Sequence, residues 1–228
     1  MTNSMVIFNN LKKPLKLKKV IDIDGMDGGG KETQSTITRD RLADMGEEYT
    51  LVPFPQYESY SGSLVREYLR NNKTVNKTLE EIKTDSLLYT FNRFQYFMDN
   101  GFTLAQCKNY IFDRYTTANM LYQTLDMSIE DKRAYVEWIS NLEYEMLRIP
   151  KPDIVIILRC SEKLSIENIR KRGKETDFFE SMDMQRKVRE NIDFFVKEYG
   201  WVAIDVDRNG VMRDRMEIND EIMSLIIS

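Results

Sequence analysis

A doubly wound α/β fold, with five parallel strands and helices on both faces of the sheet, is what this sequence predicts, and three observations carry the expectation. Short β-branched, apolar segments alternate along the chain with longer stretches of helical spacing, the order that closes into a parallel sheet. An apolar run at Val20–Asp24 breaks into Gly25-Met26-Asp27-Gly28-Gly29-Gly30 and then into Lys31 at a helix start. A second apolar run, Tyr110-Ile111-Phe112, delivers Asp113-Arg114 at its carboxyl end, where sheets of this kind bind their ligands.

Taken in order, Val20–Asp24 is the first strand, and Thr33–Met45 follows as a helix stopped at Gly46. Tyr49–Val52 is a second strand, ended by Pro53-Phe54-Pro55 because proline cannot donate to a ladder. Ser63–Arg70 reads as a short helix and Leu79–Met98 as a long one, with Leu87, Leu88, Phe91, Phe94 and Phe97 spaced along it and a stop near Gly101. The third strand, Tyr110–Phe112, precedes helices over Ala118–Leu125 and Ile129–Leu147, the second stopped by Pro150 and Pro152. Ile154–Leu158 is a continuous apolar run, as a strand covered on both faces requires. Ser161 is expected to cap a helix through Arg172, with Glu162 in its first turn, and Gly173–Ser181 to form a charged connector. Met182–Tyr199 reads as a helix, Trp201–Asp205 as the fifth strand and Val211–Ile227 as the last helix.

Composition bounds the function. The 228 residues are 42% apolar and 31% charged, which suits one domain over residues 18–228 preceded by a flexible arm at 1–17 that carries Lys12, Lys13 and Lys16. A formal charge of -4 argues against nucleic-acid binding, so any anion site is local. There is no histidine, which leaves carboxylates, Lys, Arg, Tyr and bound metal to carry chemistry. Cys107 and Cys160 show no paired spacing, and both are expected to pack as small hydrophobes. No apolar run is long enough to span a membrane and no signal-peptide core is present, so a cytoplasmic protein without a membrane partner is expected.

Strand, glycine-rich loop, lysine and helix make the layout of a phosphate-binding P-loop, and hence a P-loop NTPase-like three-layer sandwich. Backbone N–H groups of Gly25–Gly30 turn toward a polyphosphate, the helix N-terminus adds partial positive charge, and Lys31 stands beside the β- and γ-phosphates. Glu32 occupies the position where a metal-binding hydroxyl is usual. Thr33 cannot take over its direction, since adjacent helical side chains diverge by about 100°. Arg93, Arg114, Arg170 and Arg172 are enough cations to clamp two polyphosphates, and phosphoryl transfer needs little beyond positioning and charge neutralisation.

Gly25–Gln34, Phe54-Pro55-Gln56-Tyr57, Leu88-Tyr89-Thr90-Phe91-Asn92-Arg93, Asp113-Arg114-Tyr115 with Tyr122-Gln123, Pro152-Asp153 and Arg170–Glu180 occur in order and with compatible spacing. From about residue 18 to the end the chain resembles the thymidylate kinase family. The resemblance implies transfer of the ATP γ-phosphoryl group to dTMP, giving dTDP and ADP with Mg²⁺, in a homodimer formed through helices, with Leu87–Met98 as the candidate surface. It implies that Gly25, Asp27, Gly28, Gly29, Gly30, Lys31, Glu32 and Thr33 hold ATP. Asp27, Phe54, Tyr57, Tyr89, Arg93, Arg114, Asn119 and Tyr122 then line the dTMP site: Asp27 on the 3′-hydroxyl, Tyr89 stacked on the base, Arg93 and Asn119 at base edges, Arg114 on the acceptor phosphate. Lys31, Asp113, Arg114, Arg170 and Arg172 would be catalytic, and Glu32 and Asp113 would hold the metal, directly or through water. Gly28 and Gly29 stand where some relatives carry a catalytic arginine, so that charge is expected from a mobile lid at about 170–181 of the bacterial-like type.

Gln56 stands where many relatives have arginine, and Ala118 where serine is frequent. With Glu32, these departures leave open a catalytically degenerate nucleotide-binding module, a deoxynucleoside kinase, or altered monophosphate specificity.

Overall fold

The structure, a computed structural model, describes residues 19–71, 77–102, 108–171 and 182–227. The N-terminal arm at 1–17, Cys107, Arg172 and nearly all of the expected lid lie outside the described residues.

Five strands form one parallel sheet: β1 (Val20–Gly25), β2 (Thr50–Pro53), β3 (Tyr110–Asp113), β4 (Ile154–Arg159) and β5 (Val202–Asp205), in the order β2-β3-β1-β4-β5. Central β1 pairs Ile21 with Ile111 on one side and with Ile154 on the other. Side chains alternate along a strand. Ile21 and Ile23 therefore go to one face of β1, and Asp22 and Asp24 to the other, all four fully buried. From β1 the chain crosses over β3 to reach β2, and from β3 it crosses back over β1 to reach β4. The crevice at the carboxyl ends of β1 and β3 is the switch point where such sheets take ligands.

Among the described residues the helices include α1 (Lys31–Asp44), α2 (Tyr60–Asn71), α3 (Leu79–Asp99), α4 (Thr116–Gln123), α5 (Ile129–Ser140), α6 (Glu162–Lys171), α7 (Met182–Tyr199) and α8 (Arg215–Ile226). On one face α1 and α8 are joined by Asn219, whose Nδ2 donates to Gln34 Oε1 at 3.0 Å and to Thr38 Oγ1 at 2.9 Å. On the other, α7 is tied to α4 by Asn191 Nδ2, 2.7 Å from Leu121 O. A capping box between Thr78 and Glu81 starts α3. Beside the main aliphatic core an aromatic one gathers Phe54, Phe97, Tyr110, Phe112 and Tyr115, with Phe112 and Tyr115 stacked at 3.9 Å.

Several expected boundaries are corrected. The last helix begins at Arg215, not Val211, because Asp207–Arg208 (β6) and Val211–Met212 (β7) pair as a hairpin. Its turn, Asn209-Gly210, has φ of 54° and 77°, the left-handed pair that a two-residue hairpin loop favours. Asp214 then caps α8 by accepting from Met216 N and Glu217 N. Ser161 does not cap α6: its hydroxyl is buried without a hydrogen-bond partner, and its backbone N–H is drawn instead to Asp207 Oδ1 at 2.8 Å. The helix expected to run to Leu147 ends as α-helix at Ser140 and continues as a π-helical turn, Asn141–Met146.

Candidate active site

The phosphate loop is built by close approach. Gly25, at φ 134°, lies so near β4 that a Cβ would stand 2.1 Å from Leu158 O, and at Gly28, φ 77°, it would stand 2.7 Å from Ser165 O. Only glycine is accommodated at either. Two side chains that sequence reading missed hold the loop from α6. Ser165 Oγ donates to Asp27 O at 2.6 Å, and Asn168 Nδ2 donates to Gly28 O at 2.9 Å. Their three-residue spacing on one helix face was the available signal.

Lys31 opens α1 and turns back into the loop. Its Nζ donates to Gly25 O and Met26 O, both at 2.9 Å, and lies 3.4 Å from Asp27 Oδ1. Burial lowers its pKa, and neighbouring Arg114 acts the same way, with Asp27 and Asp24 opposing. Arg114, at φ 66°, follows β3 and pairs through Nη2 with the same Asp27 Oδ1. Its guanidinium lies 5.4 Å from the centre of the Tyr122 ring, and the Tyr122 hydroxyl donates to Gly25 O at 3.0 Å. The lysine that opens α1 and the arginine that follows β3, far apart in sequence, thus share one carboxylate.

Asp113 is half-buried at the end of β3. Burial raises its pKa and the charges of Lys31 and Arg114 lower it, while Asp24 and Glu32 raise it. Glu32 and Thr33 are exposed in the first turn of α1. Among the described residues no group of three or more His, Cys, Asp or Glu gathers as a self-sufficient metal site. Mg²⁺ commonly takes one or two carboxylates and completes its shell with phosphate and water. Asp113 at the end of β3 and Glu32 in the first turn of α1, whose charge bears on Asp113, are two such carboxylates.

On the other flank, burial raises the phenol pKa of Tyr89, which also feels Tyr57, Arg114, Asp85 and Arg93, and its ring meets Tyr68 edge-on at 6.1 Å. Tyr57 is exposed, with Arg66 over its ring at 5.6 Å. Phe54 is buried in the aromatic core and follows the end of β2. The Gln56 side chain turns back, its Nε2 donating to Pro53 O, and the Gln56 backbone N–H donates to Asn92 Oδ1 at 2.7 Å.

Arg93 and Asn119 lie deeper than a base-edge contact suggests, at 2% and 3% exposure. Arg93 donates Nε to Glu143 Oε2 at 2.8 Å and Nη2 to Glu143 Oε1 at 2.6 Å; Nη2 also reaches Asn119 Oδ1 at 3.2 Å and Nη1 reaches Tyr115 O at 3.3 Å. One Nη1 hydrogen is left over, since guanidinium carries five. Glu143, delivered by the π-helical turn, also accepts from Thr90 Oγ1 at 2.6 Å and Thr116 Oγ1 at 2.5 Å. Asn119 Nδ2 is buried without a hydrogen-bond partner. Sequence reading missed Glu143, because a glutamate in a helical run has no mark distinguishing a buried partner from a solvated one. Arg170 is exposed near the end of α6.

A glycine loop between β1 and α1, a lysine and an arginine converging on one carboxylate, and tyrosines beside them define a P-loop phosphotransferase. The sequence model of the thymidylate kinase family, described as "Thymidylate kinase", matches residues 23–213. The chain belongs to this family. It is 28% identical over 177 residues to a probable thymidylate kinase of Pyrococcus horikoshii, covering 75% of this chain and 79% of that protein. It is 26% identical to the thymidylate kinase of Plasmodium falciparum, covering 85% and 84%. The solved structure of thymidylate kinase from Candida albicans superposes with a TM-score of 0.65 over 92% of this chain and 91% of that one at 22% identity, a likeness of fold.

Proposed function

We propose how Asp27, Lys31, Arg114 and the residues around them divide the work of the reaction this chain catalyses as a member of its family, transfer of the γ-phosphoryl group of ATP to dTMP with release of ADP and dTDP. The observation that supports the assignment is the shared carboxylate of Asp27, met by Lys31 at 3.4 Å and by Arg114. The lysine that neutralises donor phosphates and the arginine that holds the acceptor phosphate then face the same few ångströms of space, as in-line transfer requires.

Gly25–Thr33 receives the ATP phosphates, and Lys31 exchanges its loop carbonyls for β- and γ-phosphate oxygens. Arg114 orients the dTMP phosphate as attacking nucleophile, with Asp27 near the sugar hydroxyl. Tyr89, Tyr57, Phe54 and Tyr122 form the aromatic side of the base pocket. Arg93 would offer a base edge one guanidinium N–H and Asn119 the two N–H groups of its side-chain amide. Glu32 and Asp113 would hold Mg²⁺, which when bound neutralises phosphate charge. Arg170 and Arg172 supply the further cation, a role supported by the bare backbone of Gly28 and Gly29. We propose a cytoplasmic location; no helix of the described residues is long and apolar enough to cross a membrane.

ADP release measured with ATP and Mg²⁺ across dTMP, dUMP, dCMP, dGMP and UMP is expected to show dTMP as the preferred acceptor. Release confined to another monophosphate would overturn the substrate while sparing the reaction class, and nucleotide binding without release would favour a degenerate module.

A homodimer is supported by the outer face of α3, where Leu87, Phe91 and Met98 are 46%, 42% and 54% exposed, with Tyr60 of α2 71% exposed against the Phe91 ring. Exposed apolar side chains gathered on one face mark an interaction surface. Leu87→Glu combined with Phe91→Glu is expected to convert a dimer into a monomer in sedimentation velocity. A parent protein that sediments as a monomer at micromolar concentration would remove the proposal.

A further inference from the structure

Asp22 has no part in the reaction described above, and its surroundings are unusual for a carboxylate. It sits on the central strand with no solvent exposure, as does Asp24 two residues on. One hydroxyl bridges the pair: Thr117 Oγ1 of α4 is hydrogen-bonded to Asp22 Oδ2 and lies 3.4 Å from Asp24 Oδ2. Asp24 Oδ1 in turn accepts from Gly25 N at 2.7 Å. The fourth carboxylate oxygen, Asp22 Oδ1, is buried without any hydrogen-bond partner.

Among the described residues no cation forms an ion pair with Asp22. Lys31 and Arg114 bear on Asp24, and Arg93 of α3, paired with Glu143, reaches Asp22 only as the weakest of the influences that lower its pKa. The other groups facing Asp22 are Asp24 on its own strand, Asp113 of β3, Tyr115 at the start of α4 and Tyr144 of the π-helical turn. An ionised carboxylate with one bare oxygen in such a place loses its hydration without replacement, whereas the neutral acid leaves bare only a carbonyl oxygen.

We propose that Asp22 is held as the neutral acid in the folded enzyme and acts as a positioning residue: its O–H donates to Thr117 Oγ1, Thr117 donates to Asp24 Oδ2, and Asp24 so anchored holds the Gly25 N–H. A directed chain of hydrogen bonds then runs from the middle of the sheet to the amide at which β1 turns into the phosphate loop. Burial, the Asp24 charge and the Asp113 charge push the Asp22 pKa well up, against the Thr117 hydrogen bond and the Arg93 charge. The role rests on the reading that the Gly25–Lys31 loop receives the donor phosphates.

The test uses the full chain and two variants, Asp22→Asn and Asp22→Val. In the parent protein the infrared spectrum at pH 7 should contain the carbonyl band of a protonated, buried carboxylic acid, and Asp22→Asn should remove it. A folded state that keeps the proton binds more protons than the unfolded one, so this stability is fully present below the ordinary carboxylate pKa of about 4 and is lost as pH rises. The asparagine does not titrate, so Asp22→Asn should melt above the parent at pH 7 to 8, the gap closing toward pH 4. Asp22→Val, which breaks the chain, should raise the KM for ATP about tenfold, as loss of an orienting group does, with kcat changed less, and Asp22→Asn should restore it. Absence of the band, or an asparagine variant that melts below the parent at pH 7, would overturn the proposal even if the valine variant does not fold. Failure of the loop to bind ATP in the parent would instead defeat the reading it rests on, leaving the band and the melting gap in place.

Discussion

Lys31→Ala loses turnover by roughly 10³-fold at saturating ATP and dTMP while the protein stays folded, the scale expected when a preorganised charge is removed from a developing phosphoryl oxyanion. Lys31 Nζ is held by two loop carbonyls and Asp27, all close to where a polyphosphate would lie, so its charge is oriented before any nucleotide arrives. Its removal leaves Asp27 paired with Arg114, so no buried carboxylate is stranded and the melting temperature should move by only a few degrees. Steady-state ADP release with a thermal melt on the same sample decides it. Turnover within tenfold of the parent would mean that the loop lysine has no phosphate to neutralise.

Glu143→Leu has the largest expected effect on stability. The guanidinium of Arg93 is 3% exposed and Glu143 fully buried, so taking away the carboxylate leaves a buried cation unpaired, a loss of about 3–5 kcal/mol. Thr90 and Thr116 lose their acceptor at the same time. For a chain of this length that corresponds to a fall in melting temperature of roughly 10 °C. Pairing the change with Arg93→Leu should recover much of the loss, because a buried ion pair replaced on both sides by apolar groups strands nothing. A single variant that melts within 2 °C or so of the parent would show that the pair is solvated.

Much of the site was legible because it is encoded locally. Gly25–Lys31 must approach a strand and turn, and the residues that allow this lie side by side in the chain. Asp113-Arg114 could be placed at a strand end from the apolar run before it. The hairpin at Asp207–Met212 was missed although Asn209-Gly210 is a strong turn signal, because the helical spacing that follows was extended backward over Val211 and Met212.

What the sequence determined by itself is the alternation of strands and helices, the P-loop and the ordered motifs of the family, since each depends on neighbours in the chain. Only the tertiary structure decided that Lys31 and Arg114 meet on Asp27, that Glu143 binds Arg93 out of contact with solvent, and that Asp22 and Asp24 are joined by Thr117. These pairings bring together groups separated by 50 or more positions, and whether a charged side chain is solvated or buried against a partner depends on what the fold packs around it.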